Sequence, residues 1–134
     1  MQYLEKPKSR TDIGQLYQRL GWTDFLQLDA EQLAQAMEQS WYVVYAYDQD
    51  RLVGTGRVIS DGVINAYLCG LGVEPEYRKR GIGTEISERL VRRCRQHGLH
   101  IQFFCEEQMV PFYEQRGFSR FAFGMKLASR VNLR

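Results

Sequence analysis

The sequence lacks any long apolar segment. Its longest uninterrupted apolar run, Trp41–Tyr47, has seven residues, whereas a transmembrane helix needs about 20. The first ten residues are polar and include Glu5, Lys6 and Arg10, so they do not resemble the apolar stretch of a signal peptide. We therefore expect neither a secretion signal nor a membrane partner.

Cysteine and histidine are also scarce. The three cysteines, Cys69, Cys94 and Cys105, form no Cys-x-x-Cys pair, and His97 and His100 are the only histidines. A zinc site is not expected from these residues, and no metal cofactor is predicted. Widely spaced thiols in odd number suit a reducing compartment, which predicts a cytoplasmic location.

An excess of charge of one sign is absent as well. The formal net charge is +2, so no global attraction to nucleic acid is expected and any anion-binding site must be local. Hydrophobic residues make up 44% and charged residues 25% of the chain, which is ordinary globular composition. A length of 134 residues suits one domain, predicted to span 1–134.

Helix signals dominate the first part of the chain. Thr11 and Asp12 are predicted to cap a helix that ends at Gly21 and has one apolar face, formed by Ile13, Leu16, Tyr17 and Leu20. Asp29 and Gln32 predict a capping box at the start of a second helix. That helix is expected to bury Leu33, Ala36 and Met37.

Strand signals follow in the middle of the chain. Trp41–Tyr47, Arg51–Ser60 and Val63–Val73 predict an antiparallel meander, with a hairpin turn at Asp61-Gly62. One more strand near Tyr3 is left open.

The pattern then changes to a helical period. Gly81–His97 predicts a long helix, and Ile101–Cys105 a buried strand parallel to Val63–Val73 through a right-handed crossover. Pro111–Arg116 predicts a short helix, and Phe118–Leu127 a final extended stretch, which is the last strand in the predicted order α-α-β-β-β-α-β-α-β.

The segment from Val73 to Thr84 carries the clearest chemical signal. Three cations, Arg78, Lys79 and Arg80, precede two glycines, Gly81 and Gly83, at the start of the long helix. Free N–H groups and the dipole at a helix start favour a pyrophosphate. The alternative is a solvated basic turn before an amphipathic helix. A Rossmann fingerprint would need a small residue at Ile86, and the Lys-Ser/Thr pair of a Walker loop is missing.

Two motifs resemble those of GNAT acetyltransferases. Arg78-x-x-Gly81-x-Gly83 matches the family's (Gln/Arg)-x-x-Gly-x-(Gly/Ala) signature and follows a Val-x-Pro-x-Tyr sequence that begins at Val73. Phe112–Phe118, with the sequence Phe-Tyr-Glu-Gln-Arg-Gly-Phe, resembles the family's Phe-Tyr-Glu-Lys-x-Gly-Phe. The similarity covers about Trp41 to Leu127 and follows the predicted order of elements.

The resemblance implies the α/β GNAT fold: a mixed, mostly antiparallel sheet with a splayed parallel strand pair and helices on both faces. It implies acetyl-CoA as co-substrate. Main-chain groups of Leu71, Gly72 and Val73 would bind pantetheine, and one N–H group would polarise the acetyl carbonyl. The pyrophosphate would be held by Arg78, Lys79, Arg80, Gly81, Ile82, Gly83 and Thr84.

The same resemblance points to catalytic residues. Tyr113 matches the tyrosine that protonates the departing thiolate; the alternative is a packing role. Glu106 and Glu107 are candidates for the general base, although many relatives have Asn at the second position and glutamates at a strand end are exposed by default. Cys105 is expected in the core and is not proposed as an acetyl carrier.

The implied reaction is transfer of acetyl from acetyl-CoA to a primary amine by direct attack. A small-molecule amine is favoured, because the chain resembles small cyanobacterial and chloroplast members, some of which acetylate arylalkylamines. Trp22 and Phe25 would suit an apolar amine or ordinary helix packing. A peptide or protein acceptor and a catalytically silent acetyl-CoA-binding regulator are the alternatives, and a homodimer is left open.

Overall fold

A five-stranded sheet organises the first 102 residues of the computed structural model, which describes residues 1–128. The strands are β1 (Gln2–Leu4), β2 (Tyr42–Asp48), β3 (Arg51–Ser60), β4 (Asn65–Val73) and β5 (His100–Gln102). They lie in the order β1-β2-β3-β4-β5; β4 and β5 are parallel and the other neighbours antiparallel. The predicted meander and parallel pair are confirmed, and a strand is present at Tyr3.

Helices cover both faces of this sheet. They are α1 (Thr11–Arg19), α2 (Thr23–Leu26), α3 (Ala30–Glu38) and α4 (Ile82–Gln96). Residues of α4 pack against Val44 and Ala46 of β2, whereas α1 and α3 pack against Val43 and Tyr45 of the same strand. Because successive side chains of a strand point to opposite faces, β2 contributes to both cores.

The helix ends agree with the sequence in part. The capping box of α3 is confirmed, since the N–H of Gln32 donates to Asp29 Oδ1 at 2.8 Å and the N–H of Asp29 to Gln32 Oε1 at 3.0 Å. The predicted cap of α1 is wrong: Arg10 is its N-cap residue. The Asp12 carboxylate instead accepts a hydrogen bond from the Tyr47 hydroxyl at 2.6 Å.

Two further positions differ from the prediction. Ala34, not Ala36, joins the buried face of α3. The strand β4 begins at Asn65 rather than Val63, because Asp61 Oδ1 accepts the N–H groups of Val63 and Ile64, both at 2.8 Å. These two hydrogen bonds lower the pKa of the Asp61 carboxyl and widen the turn.

A second compact unit begins at residue 103. It contains a 3₁₀ turn (Glu107–Met109) and the helix α5 (Val110–Glu114). The predicted strand over Phe118–Leu127 is wrong for the described residues of this unit, where no strand is present. Phe121, Phe123, Met125 and Leu127 are 69–95% exposed, and without a paired neighbour an alternating apolar pattern does not form a ladder.

The end of β5 also differs from the sequence. The strand closes at Gln102, so the predicted run to Cys105 is too long, and Cys105 is exposed rather than in the core. No helix within residues 1–128 is long and apolar enough to cross a membrane.

Candidate functional site

The loop between β4 and α4 has the backbone shape of an anion site. Lys79 and Gly81 both have a positive φ, 63° and 81°. Residues other than glycine seldom adopt this left-handed backbone conformation, and strained positions of this kind cluster at ligand sites. A Cβ built on Gly81 would meet nothing within 4 Å, so the space beside the loop is open.

The start of α4 supplies backbone donors to the same loop. The N–H of Glu85 donates to the carbonyl oxygen of Gly81, the N-cap residue of α4, at 3.0 Å. Ile82 and Gly83 are the first two residues of α4, so their N–H groups come before this bond, and the N-cap residue, Gly81, has no side chain that could cap them. With the positive end of the helix dipole, they form an arrangement that fits a diphosphate.

Positive side chains surround this backbone. Arg78, Lys79 and Arg80 are all exposed. Arg78 Nε donates to the carbonyl oxygen of Val73 at 2.9 Å, and the Arg80 guanidinium lies 4.9 Å from the centre of the Tyr77 ring. Both contacts keep a cation close to the loop, where it would add to the attraction for phosphate.

A buried carboxylate, paired with two arginines, holds the loop at its first residue. The carboxylate of Glu74 is only 5% exposed; it is paired with Arg51 at the start of β3 and lies 3.2 Å from Nε of Arg19 at the end of α1. The Arg51 hydrogen bond, helped by Arg19, lowers the pKa of Glu74. This network was missed from the sequence, because its three members are far apart along the chain.

A second anchor follows Glu74. The hydroxyl of Tyr77 donates to Asp48 Oδ2 at the end of β2, at 2.7 Å. The loop is therefore attached to the sheet on both sides of Pro75, and the charge of Glu74 is neutralised before the three cations begin.

The strand β4 offers a backbone edge next to the loop. Its parallel pairing with β5 stops at Tyr67–Gln102, and within residues 1–102 the remainder, from Leu68 to Val73, pairs only with β3. Gly70 and Leu71 form a β-bulge opposite the single residue Gly56. Glycine within a strand is typical of such a position, and bulges of this kind are common next to active sites.

The face of β4 that α1 and α2 cover is closed at Gly72. A Cβ there would lie 2.6 Å from Trp22 Cη2 and 2.8 Å from Leu20 Cδ1. Trp22 also packs edge-on against Tyr17, with ring centres 5.0 Å apart. Phe25 is 68% exposed. Trp22 and Phe25, which could line an apolar amine pocket or serve in helix packing, therefore have different surroundings. Trp22 has the contacts expected of a packing residue.

The predicted catalytic residues lie in the second unit. Tyr113 on α5 packs against Phe103 and Phe118, with ring centres 4.4 and 6.1 Å away. Partial burial raises the pKa of its phenol, which keeps it protonated as an acid must be. Glu106 and Glu107 are exposed at the 3₁₀ turn.

Residues 1–128 contain no group of three or more His, Cys, Asp or Glu side chains placed to hold a metal.

Comparison with known proteins gives the family of this chain. Residues 15–123 match the model of the GNAT acetyltransferase domain. A GNAT-family acetyltransferase from Streptococcus pneumoniae has the same fold, with a TM-score of 0.75 and 28% identity over 96% of each chain.

Two plant relatives carry different substrate names. The Glycine max protein named histone acetyltransferase TAP1 is 29% identical, over 86% of this chain and 54% of its own. The chloroplastic serotonin N-acetyltransferase 2 of Oryza sativa is 33% identical, over 81% of this chain and 56% of its own. The chain spans little more than half the length of these relatives.

Proposed function

The chain belongs to the GNAT acetyltransferase family, and from this premise we propose that it transfers an acetyl group from acetyl-CoA to the primary amine of a small molecule. The observation that carries the proposal is the loop at Gly81, with its left-handed backbone, its open side and its position as the N-cap residue of α4. Its neighbouring cations and backbone donors would hold the diphosphate of the co-substrate.

The proposed reaction is a direct attack. The amine nitrogen attacks the acetyl carbonyl carbon and forms a C–N bond, and the C–S bond then breaks. Main-chain N–H groups of Leu71, Gly72 or Val73 would stabilise the negative charge on the carbonyl oxygen. Support for this role comes from the bulge and the one-sided pairing of β4.

Two proton transfers complete the reaction. Tyr113 would give its proton to the departing thiolate, since its raised pKa keeps the phenol protonated. The proton of the attacking amine would pass to Glu106 or Glu107, directly or through water. Exposure of both glutamates is compatible with that path.

A protein or peptide acceptor is the second candidate, favoured by the name of the Glycine max relative. Arylalkylamines are the first small molecules to test, because of the name of the Oryza sativa relative. These candidates are distinguished by a screen of small amines and amine-bearing peptides, in which the release of free thiol from acetyl-CoA is measured. A silent acetyl-CoA-binding module would bind the co-substrate and release no thiol with any of them.

A reducing compartment, such as the cytoplasm, is the proposed location. Cys69, Cys94 and Cys105 are all free thiols, as expected for a protein that is not exposed to disulfide-forming conditions.

A further inference from the structure

Arg57 brings a positive charge to the sheet face that α1 and α3 cover. It lies on β3 directly opposite Cys69 of β4, one residue before the bulge at Gly70. The backbone proposed to hold the acetyl group, Leu71–Val73, follows at once. A group bound at Arg57 would therefore lie close to the reacting end of the co-substrate.

Within residues 1–102, the hydrogen-bond partner of the guanidinium is a neutral group. Its Nη1 donates to Ser40 Oγ at 3.2 Å, and a Cβ built on Gly70 would lie 3.4 Å from both Arg57 Nε and the Tyr17 hydroxyl. Nε is buried and donates to no acceptor among residues 1–102. Every ion pair in this unit belongs to another cation.

No carboxylate of residues 1–102 forms an ion pair with Arg57. Tyr17, Tyr45 and Cys69 are protonated at neutral pH, because burial raises the pKa of each, to about 12 for Tyr45. The charge of Glu38 also raises the pKa of Tyr45, but this carboxylate forms its ion pair with Arg10, at 2.9 Å. A partly buried arginine without a carboxylate is unusual, since buried charges in proteins are normally paired.

We propose that Arg57 binds a carboxylate of the acceptor, so that the acceptor is a primary amine carrying one negative charge. The proposal rests on the acetyl-transfer function above and narrows its substrate class. The fork of the guanidinium matches a carboxylate in two hydrogen bonds. One cation among neutral groups fits a single negative charge better than the double charge of a phosphate.

The test compares amines that differ only in that charge. β-Alanine, γ-aminobutyrate and meta-(aminomethyl)benzoate are each paired with their carboxamide, and kcat/KM is measured by thiol release. The wild type should prefer the carboxylates by at least about tenfold. Arg57→Met should abolish the preference and Arg57→Lys should reduce it, whereas Arg93→Met, which removes an arginine paired with Glu5 on another face, should leave it unchanged.

Binding gives a readout independent of turnover. Benzoate should raise the Tm of the wild type more than benzamide does, and the difference should vanish in Arg57→Met, or in Arg57→Lys if the first variant does not fold. Equal use of carboxylates and carboxamides would overturn the role of Arg57 and leave acetyl transfer standing. If no amine is acetylated, the proposed function fails. If benzoate raises the Tm of Arg57→Met as much as that of the wild type, the carboxylate site at Arg57 fails as well.

Discussion

The indole of Trp22 lies directly against Gly72, so that a Cβ at position 72 would be 2.6 Å from Trp22 Cη2. This contact joins the segment after α1 to the strand proposed to bind the co-substrate. Only glycine leaves room for the ring, which gives the residue a packing reason besides its backbone role.

Gly72→Ala should therefore lower the free energy of unfolding by about 1–3 kcal/mol through overpacking. Adding Trp22→Phe should recover part of that loss, because the smaller ring withdraws the clashing carbon. Urea unfolding of both single variants and the double variant measures the coupling. Gly83→Ala is the control: its Cβ would lie 3.7 Å from Val73 Cγ2, an ordinary contact, so a comparable loss there would contradict the explanation.

Gly81→Glu should abolish the rise in Tm that acetyl-CoA causes by mass action. The new carboxylate would stand at the helix start, where it repels phosphate and competes for the same donors. Gly98→Glu is matched in backbone, since Gly98 also has a positive φ, 66°, and nothing within 4 Å of its Cβ. Both variants carry similar strain, so loss of the acetyl-CoA shift in both would exclude the loop as the specific site.

Glu74→Gln should lower stability at pH 7 by about 1–3 kcal/mol, because Arg19 and Arg51 lose their common carboxylate. Because Arg51 is half exposed to solvent, this loss of stability should be smaller than that for a fully buried ion pair. Since the folded protein lowers the pKa of Glu74, its contribution is complete above about pH 4.3 and is lost as pH falls through the folded value.

The difference between wild type and Glu74→Gln should thus shrink in acid. Urea unfolding from pH 7 down to about pH 3 measures it, with Glu76→Gln, a neighbouring exposed carboxylate, as control. A difference that stays constant over this range would show that the charge of Glu74 is not what stabilises the loop.

Local signals predicted much of this molecule. The capping box at Asp29 and the glycine loop at Gly81 depend on residues close in sequence, and both were predicted. Other contacts form only when the sheet folds, such as those of Arg57 with Tyr17 and of Trp22 with Gly72. No local sequence pattern indicates such contacts. The strand expected at Phe118–Leu127 failed for the opposite reason: its alternation is present, but a strand also needs a neighbour to pair with.

Tyr113→Phe should reduce kcat by about 10²–10⁴-fold with acetyl-CoA affinity little changed, if the phenol is the acid. Burial raises the pKa of Tyr113, so any alkaline loss of activity caused by this phenol should begin above about pH 10 and be absent in the variant. Tyr42 lies on β2, and its hydroxyl donates to the carboxylate of Glu5 at 3.3 Å; Tyr42→Phe removes this hydroxyl and should have normal activity. An unchanged kcat for Tyr113→Phe, where chemistry limits turnover, would assign the tyrosine to packing.

Acetyl transfer is tested most directly by the rate of thiol release from acetyl-CoA with and without an amine, together with the mass of the amine product. For the wild type, we expect thiol release that depends on the amine and forms the acetylated amine in equal amount. Gly81→Glu should show neither. Tight binding of acetyl-CoA without amine-dependent release, across small amines and peptides alike, would contradict acetyl transfer and leave a binding module in its place.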